Sequence, residues 1–177
     1  MRRLVPGFWL ILLLAIPFAG QMNEWKRYKN TDGNFSVLFP GEPKEGPSKD
    51  AHSGIQVHTV LVQASPAVYM ITYGMIPGAQ PVDDATFLMY KRSFFEKLPK
   101  CEPSGGGPAS PAVAGYIGRS YRGTFETPNN KINIVVNLYW GKHRSFAVQA
   151  MFPSSEIEPA AKIKTFLESF AVIDPAK

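Results

Sequence analysis

The sequence predicts an α+β domain, a mainly antiparallel sheet of about six strands with helices packed on it. Three observations predict this class. Ile132 to Trp140 and Phe146 to Phe152 alternate their side chains on either side of Gly141-Lys142-His143-Arg144, the pattern of a β-hairpin. Phe87, Tyr90 or Lys91, Phe94 and Leu98 recur at spacings of three and four, the period of a helix lying on a core. Ile163, Phe166, Leu167 and Phe170 repeat that period near the end of the chain. Strands gathered in runs, with one helix between the runs and one after them, make an α+β order rather than a strictly alternating one.

Taken in order, the first element is not part of the domain. Arg2 and Arg3 precede a run without a charged side chain until Glu24, centred on Trp9 to Ile16, with small residues at Ala19-Gly20. A basic start, an apolar middle and a small-residue end make an export signal, expected to be removed after Ala19 or Gly20. The competing reading is an uncleaved anchor, since Leu4 to Gln21 approaches the roughly 20 residues that span a bilayer. Pro6, Gly7 and Pro17 shorten the unbroken apolar core and favour cleavage. Arg2-Arg3 is read as an ordinary basic start rather than a twin-arginine signal, and no cysteine follows the apolar run to carry a lipid. Residues 21–177 then form one domain, within the usual range of roughly 100–200 residues. Its expected location is periplasmic or extracellular, without a stable membrane anchor.

Residues 21–34 read as polar chain ending in the turn Asn30-Thr31-Asp32-Gly33-Asn34. Phe35 to Phe39 is a strand halted by Pro40-Gly41, and Pro43 to Gly54 a loop. Ile55 to Gln63 and Val68 to Met75 are strands, antiparallel neighbours because only Ala64-Ser65-Pro66 separates them. The first helix runs from about Asp84 to Leu98, with Asp83 or Asp84 as its N-cap and Pro99 beyond its end. Glu102 to Pro111 reads as a loop. Its Gly105-Gly106-Gly107 is no phosphate cradle, because no strand leads in and no helix with a Lys leads out. Ala114 to Glu126 is a strand with bulges expected at Gly118 and Gly123. The hairpin follows, and then the closing helix, capped by Ser154 or Ser155 with Pro159 in its first turn.

Certain phrases carry a family resemblance. Tyr28-Lys29-Asn30, Gly33-Asn34-Phe35-Ser36-Val37, Phe39-Pro40-Gly41-Glu42-Pro43 and the close Phe166-Leu167-Glu168-Ser169-Phe170 flank a middle helix and a glycine-interrupted strand. In this order they resemble the PsbP-like family, named for an extrinsic subunit of photosystem II. The resemblance spans nearly all of residues 21–177. It implies an α/β/α sandwich and a non-catalytic binding or assembly role, without a photosynthetic one, and carries no metal or partner site onto numbered positions here.

Chemistry is sparse. The formal charge is +5, and +3 once Arg2 and Arg3 are removed, too little for a nucleic-acid footprint. Lys142, His143, Arg144, Lys131, Arg119 and Arg122 read as solvated turns and strand edges rather than an anion site. Cys101 is the only cysteine, so no intrachain disulfide forms. It is a reactive thiol aided by Lys100 or, as expected, a tolerated residue where helix gives way to loop. His52, His58 and His143 stand at no motif spacing from a nucleophile or acid. No catalytic, metal or cofactor site is therefore expected. Asp83-Asp84 suits a helix start better than a cation, and Glu156 and Glu158 suit the positive end of the closing helix. Asn133, Asn137, Tyr139, Ser145 and Gln149 form a polar and aromatic hairpin face, read as solvent-facing or as a contact surface. Three readings of function follow: an exported binding or assembly domain for a small ligand or an envelope or extracellular protein partner, an enzyme with a site near His58 or Cys101, or a purely structural envelope component.

Overall fold

The chain is described by a computed structural model over residues 24–46, 56–76 and 78–174. The predicted leader and His52 lie outside the described residues. Trp25–Asn30 (β1) and Phe35–Pro40 (β2) form a hairpin that Ala171–Val172 (β10) extends, giving a three-stranded sheet in the order β1-β2-β10. The remaining strands are Lys44–Gly46 (β3), Gln56–Ala64 (β4), Ala67–Met75 (β5), Ser104–Pro108 (β6), Tyr116–Glu126 (β7), Lys131–Gly141 (β8) and Arg144–Pro153 (β9). They form a seven-stranded sheet in the order β3-β4-β5-β9-β8-β7-β6, with every neighbouring pair antiparallel. The helices are Asp84–Phe95 (α1) and Ala160–Glu168 (α2). The predicted class, α+β with a mainly antiparallel sheet, is what forms, but with ten strands among the described residues rather than about six.

The four additional strands share a cause: none has an alternating apolar pattern. In β1 only Trp25 and Tyr28 reach the core while Lys26, Arg27 and Lys29 are exposed, a charged edge strand that resists pairing with other chains. The three-residue β3 and two-residue β10 are too short to show a period. In β6 the three glycines, expected in a loop, form the far edge of the large sheet, with a register shift between Gly105 and Gly107. Gly105 holds φ +97°, and a β-carbon there would lie 2.9 Å from the Ser120 carbonyl oxygen. Glycine is what lets this edge come close enough to pair.

The bulges expected at Gly118 and Gly123 are absent, since β7 and β8 pair without interruption from Tyr116–Gly141 to Glu126–Lys131. Both glycines instead make room for a side chain lying on the sheet: the Tyr139 ring over Gly118 and the Cys101 sulfur over Gly123.

Cross-strand pairing sorts the hairpin side chains by face. Ile134, Val136 and Leu138 share one face with Ala147 and with Tyr121 and Phe125 of β7, and Phe87 and Phe95 of α1 cover it. Val135 and Tyr139 share the opposite face with Phe146, Val148 and Ala150. That face is covered by Phe35, Val37 and Phe39 of β2, by Ile163, Phe166 and Leu167 of α2, and by Phe170.

Both helices end differently from expectation. Asp83 caps α1 in a reciprocal box with Thr86, but the helix stops at Phe95 and not Leu98, because the residue before Pro99 is pushed away from helical geometry. α2 has no side-chain cap at all. Ser154 is spent on the β-turn, its amide donating to the Lys131 carbonyl, and the helix starts only after Pro159. At the other end the Ser169 hydroxyl donates to the Phe166 carbonyl at 2.7 Å and accepts from the Leu38 amide at 2.8 Å, tying α2 to β2 just where β10 has not yet begun.

Two buried tyrosines on the α2 side are in opposite polar states. The Tyr139 hydroxyl donates to the Pro111 carbonyl at 2.9 Å, whereas the Tyr69 hydroxyl, fully buried among Trp25 and Phe166, has no hydrogen-bond partner. An unmade buried hydrogen bond costs about 1–3 kcal/mol. Tyr69→Phe is therefore expected to be neutral or to raise stability by up to about 1 kcal/mol, while Tyr139→Phe lowers it by about 1–2 kcal/mol. Urea denaturation of the two variants checks the contrast, and a larger loss from Tyr69→Phe would refute it.

Candidate functional site

His58 and Cys101 do not share a site. Between β4, which carries His58, and β7, against which Cys101 packs, lie β5, β9 and β8. Four strand spacings of about 4.8 Å separate them by roughly 19 Å across the sheet. The half-buried His58 ring stacks on its cross-strand partner Tyr73, centroids 4.9 Å apart and planes 12° from parallel. Beyond Tyr73 runs a polar chain that joins the two sheets. The Tyr73 hydroxyl donates to Asn30 at 3.5 Å, the Asn30 amide donates to the Tyr28 oxygen at 3.0 Å, and the Tyr28 hydroxyl donates to Glu45 at 2.7 Å. Burial is the main cause that pushes Tyr28 up to about 12, so its phenol keeps its proton at neutral pH. The arrangement braces β1 against β3, β4 and β5.

Cys101 is half-buried over Gly123, and burial pushes its thiol up from the ordinary value. A nucleophilic cysteine needs the reverse shift. Lys100, expected as a possible aid, is engaged elsewhere: its ammonium donates to Glu126 at 2.6 Å. Alkylation of Cys101 by iodoacetamide at pH 8 is therefore expected to be slower in the folded protein than in the urea-unfolded chain. An equal or faster folded-state rate would restore the reactive-thiol reading.

The other sequence candidates resolve into structural roles. His143 Nδ1 lies 3.2 Å from the Gly78 carbonyl at the β8–β9 turn. Asp83 is the α1 cap, its carboxyl held below the ordinary value mainly by the Thr86 amide, and Asp84 lies 3.7 Å from Arg119. Glu158 lies immediately before the N-cap of α2, but its carboxylate is taken by Arg122, which donates to both of its oxygens at 2.8 Å, and Glu156 is exposed outside the helix. Lys131 stands 3.7 Å from Glu126. Three of the basic residues considered together, Arg119, Arg122 and Lys131, thus meet three different carboxylates. The polar hairpin face is corrected: Asn133, Asn137 and Tyr139 lie on the α2 side and Ser145 and Gln149 on the α1 side. All but Asn133 are buried. Asn137 donates to the Ser110 carbonyl at 2.9 Å and Gln149 to Thr72 at 3.5 Å, so the surface anticipated from composition is interior.

Two concave surfaces lie away from any sequence motif, on either side of the segment from Pro99 to Ser104. On one side is a cleft of about 520 Å³ over the ends of β7 and β8. Beside Glu102, its other charged side chains pair as Lys100–Glu126, Lys131–Glu126 and Arg122–Glu158, and the Thr124 hydroxyl donates to Asn133 at 2.8 Å. On the other side is a shallow groove of about 650 Å³ between α1 and the segment, with Leu88, Phe95, Leu98 and Cys101 among its apolar lining. Lys100 borders both. Beside the groove Leu88 is 58% and Met89 68% exposed. These two apolar residues stand off the predicted helical stripe, and that surplus was the one trace of the surface in the sequence.

Among the described residues no helix is long and apolar enough to cross a membrane. No family model and no curated protein matches the chain.

Proposed function

We propose that this chain is an exported, non-enzymatic domain of PsbP-like type that binds or assembles with a protein outside the cytoplasm. The observation that carries the reading is Leu88, 58% exposed in the lining of a partly apolar groove and followed on α1 by Met89, 68% exposed. Large apolar side chains left in water at a concave surface mark interaction sites. The composition of residues 1–20 supports export. The PsbP-like reading draws support from α1 and α2 packing against opposite faces of the large sheet. It also draws on the parts played by the shared phrases: Asn30 and Asn34 hold the first hairpin and the chain end, and Ser169 fastens α2 to β2. An enzyme using Cys101 as nucleophile is disfavoured by the upward shift of its thiol, and His58 lies too far across the sheet to serve as its base.

Affinity capture from the native cell envelope tests the reading. The protein is expected to recover one reproducible partner, and Leu88→Asp to lose it. Recovery of no reproducible partner would overturn the binding role. Intact mass of the protein isolated from outside the cytoplasm is expected to lack residues 1–20, and a full-length mass would contradict cleavage.

A further inference from the structure

Resting on that reading, we infer that the groove between α1 and the segment Pro99 to Pro103 receives an acidic stretch of a partner protein anchored by a large apolar side chain. The floor sets the anchor. Leu88 is exposed and Leu98 and Cys101 are half-buried along it, with the buried Phe95 completing the lining, and filling such a surface removes apolar area from water.

The rim sets the charge. Lys91, Arg92 and Lys100 border the groove against a single acid, Glu96. Arg92 meets Glu96 at 2.6 Å and Lys100 meets Glu126 at 2.6 Å, with the two basic side chains 81% and 77% exposed. Ion pairs this open to water contribute only about 0–1 kcal/mol, so both cations exchange partners at little cost when a carboxylate arrives with the anchor. Lys91 lies at the inner wall with its ammonium 4.9 Å from the Tyr121 ring centre.

The shape sets the kind of occupant. Pockets for small molecules enclose most of their ligand, whereas this groove is shallow and open and suits a side chain projecting from a larger body.

Fluorescence anisotropy with two labelled twelve-residue peptides tests the inference. One combines glutamates with leucine and phenylalanine at helical spacing, and the other has lysine in place of each glutamate. The purified protein is expected to bind the acidic peptide at least tenfold more tightly, with affinity falling as salt rises. Leu88→Asp, at an exposed position and with its fold checked by circular dichroism, is expected to weaken binding at least tenfold. Arg92→Glu combined with Lys100→Glu is expected to reverse the preference toward the basic peptide. Equal affinity for both peptides, no binding of the acidic one, or indifference to Leu88→Asp would overturn the inference. Leu88-dependent binding to vesicles containing 30% phosphatidylglycerol, without peptide binding, would overturn it in favour of a membrane surface. Failure here is separable from failure of the binding role: partner capture unaffected by Leu88→Asp sinks the groove alone, while absence of capture by the unmodified protein sinks both.

Discussion

Replacing Phe35 by alanine is expected to destabilise the protein by about 3–5 kcal/mol, the usual cost of emptying a fully buried phenylalanine site. Phe35 is 0% exposed, and its ring lies 5.4 Å from Tyr73, 5.9 Å from Phe146, and 6.1 Å from both Tyr28 and Phe170. Those four rings come from β1, β5, β9 and the chain just after α2, so one truncation loosens the small sheet, the large sheet and the closing helix together. Against a total stability of about 5–15 kcal/mol such a loss takes roughly a fifth or more. For a domain of this size it corresponds to a fall in Tm of about 6–20 °C. Ile157→Ala, at a side chain 91% exposed, serves as the control and is expected to stay within about 0.5 kcal/mol. Urea denaturation gives the comparison, and a loss below about 1.5 kcal/mol for Phe35→Ala would show that the core closes without it.

The second large effect comes from adding one methyl group. In Gly118→Ala the new β-carbon would lie 2.9 Å from two carbons of the Tyr139 ring and 3.1 Å from the Ala109 β-carbon. Tyr139 cannot retreat. It is 0% exposed, its hydroxyl is held by the Pro111 carbonyl, and its ring leans on Phe170 at 5.1 Å. Overpacking of this kind costs about 1–3 kcal/mol. Gly123→Ala meets a softer obstacle, the Cys101 sulfur at 2.9 Å, which is the free end of a side chain bordering an open groove. Its cost is expected to stay below about 1 kcal/mol. The order of the two variants in thermal denaturation is the test: if Gly123→Ala were the more damaging, the sheet and not the overlying ring would be the rigid partner.

These glycines also show how far a sequence can be read. Period two in β8 and β9 and period four in α2 are properties of neighbouring residues, and the hairpin and closing stripe were legible for that reason. A glycine in a strand signals only that something approaches closely. Whether that is a bulge or a tyrosine ring depends on Tyr139, across the strand pair, and pattern reading chose the bulge. β1 stayed hidden because Lys26, Arg27 and Lys29 make an edge strand look like polar coil, and β6 because Gly105-Gly106-Gly107 has the composition of a loop. The polar residues of the hairpin were visible, but their distribution over two faces follows from the β8–β9 register, in which Asn137 opposes Val148 and Val136 opposes Gln149. The groove was illegible as a site, since it joins the flank of a helix to a proline-bounded segment. Only Leu88 and Met89, apolar and off the stripe, pointed toward it.

The fastening of β2 by Ser169 and of Asn34 by Asp174 spans 131 and 140 positions of the chain. A polypeptide emerging N-terminus first, from a ribosome or through a secretion pore, therefore presents Phe35 and Phe39 long before Phe166 and Phe170 arrive to cover them. Closure waits for the final segment, which slows folding and keeps the lengthening chain in a threadable state. It also leaves the first hairpin exposed to aggregation in any product truncated before α2.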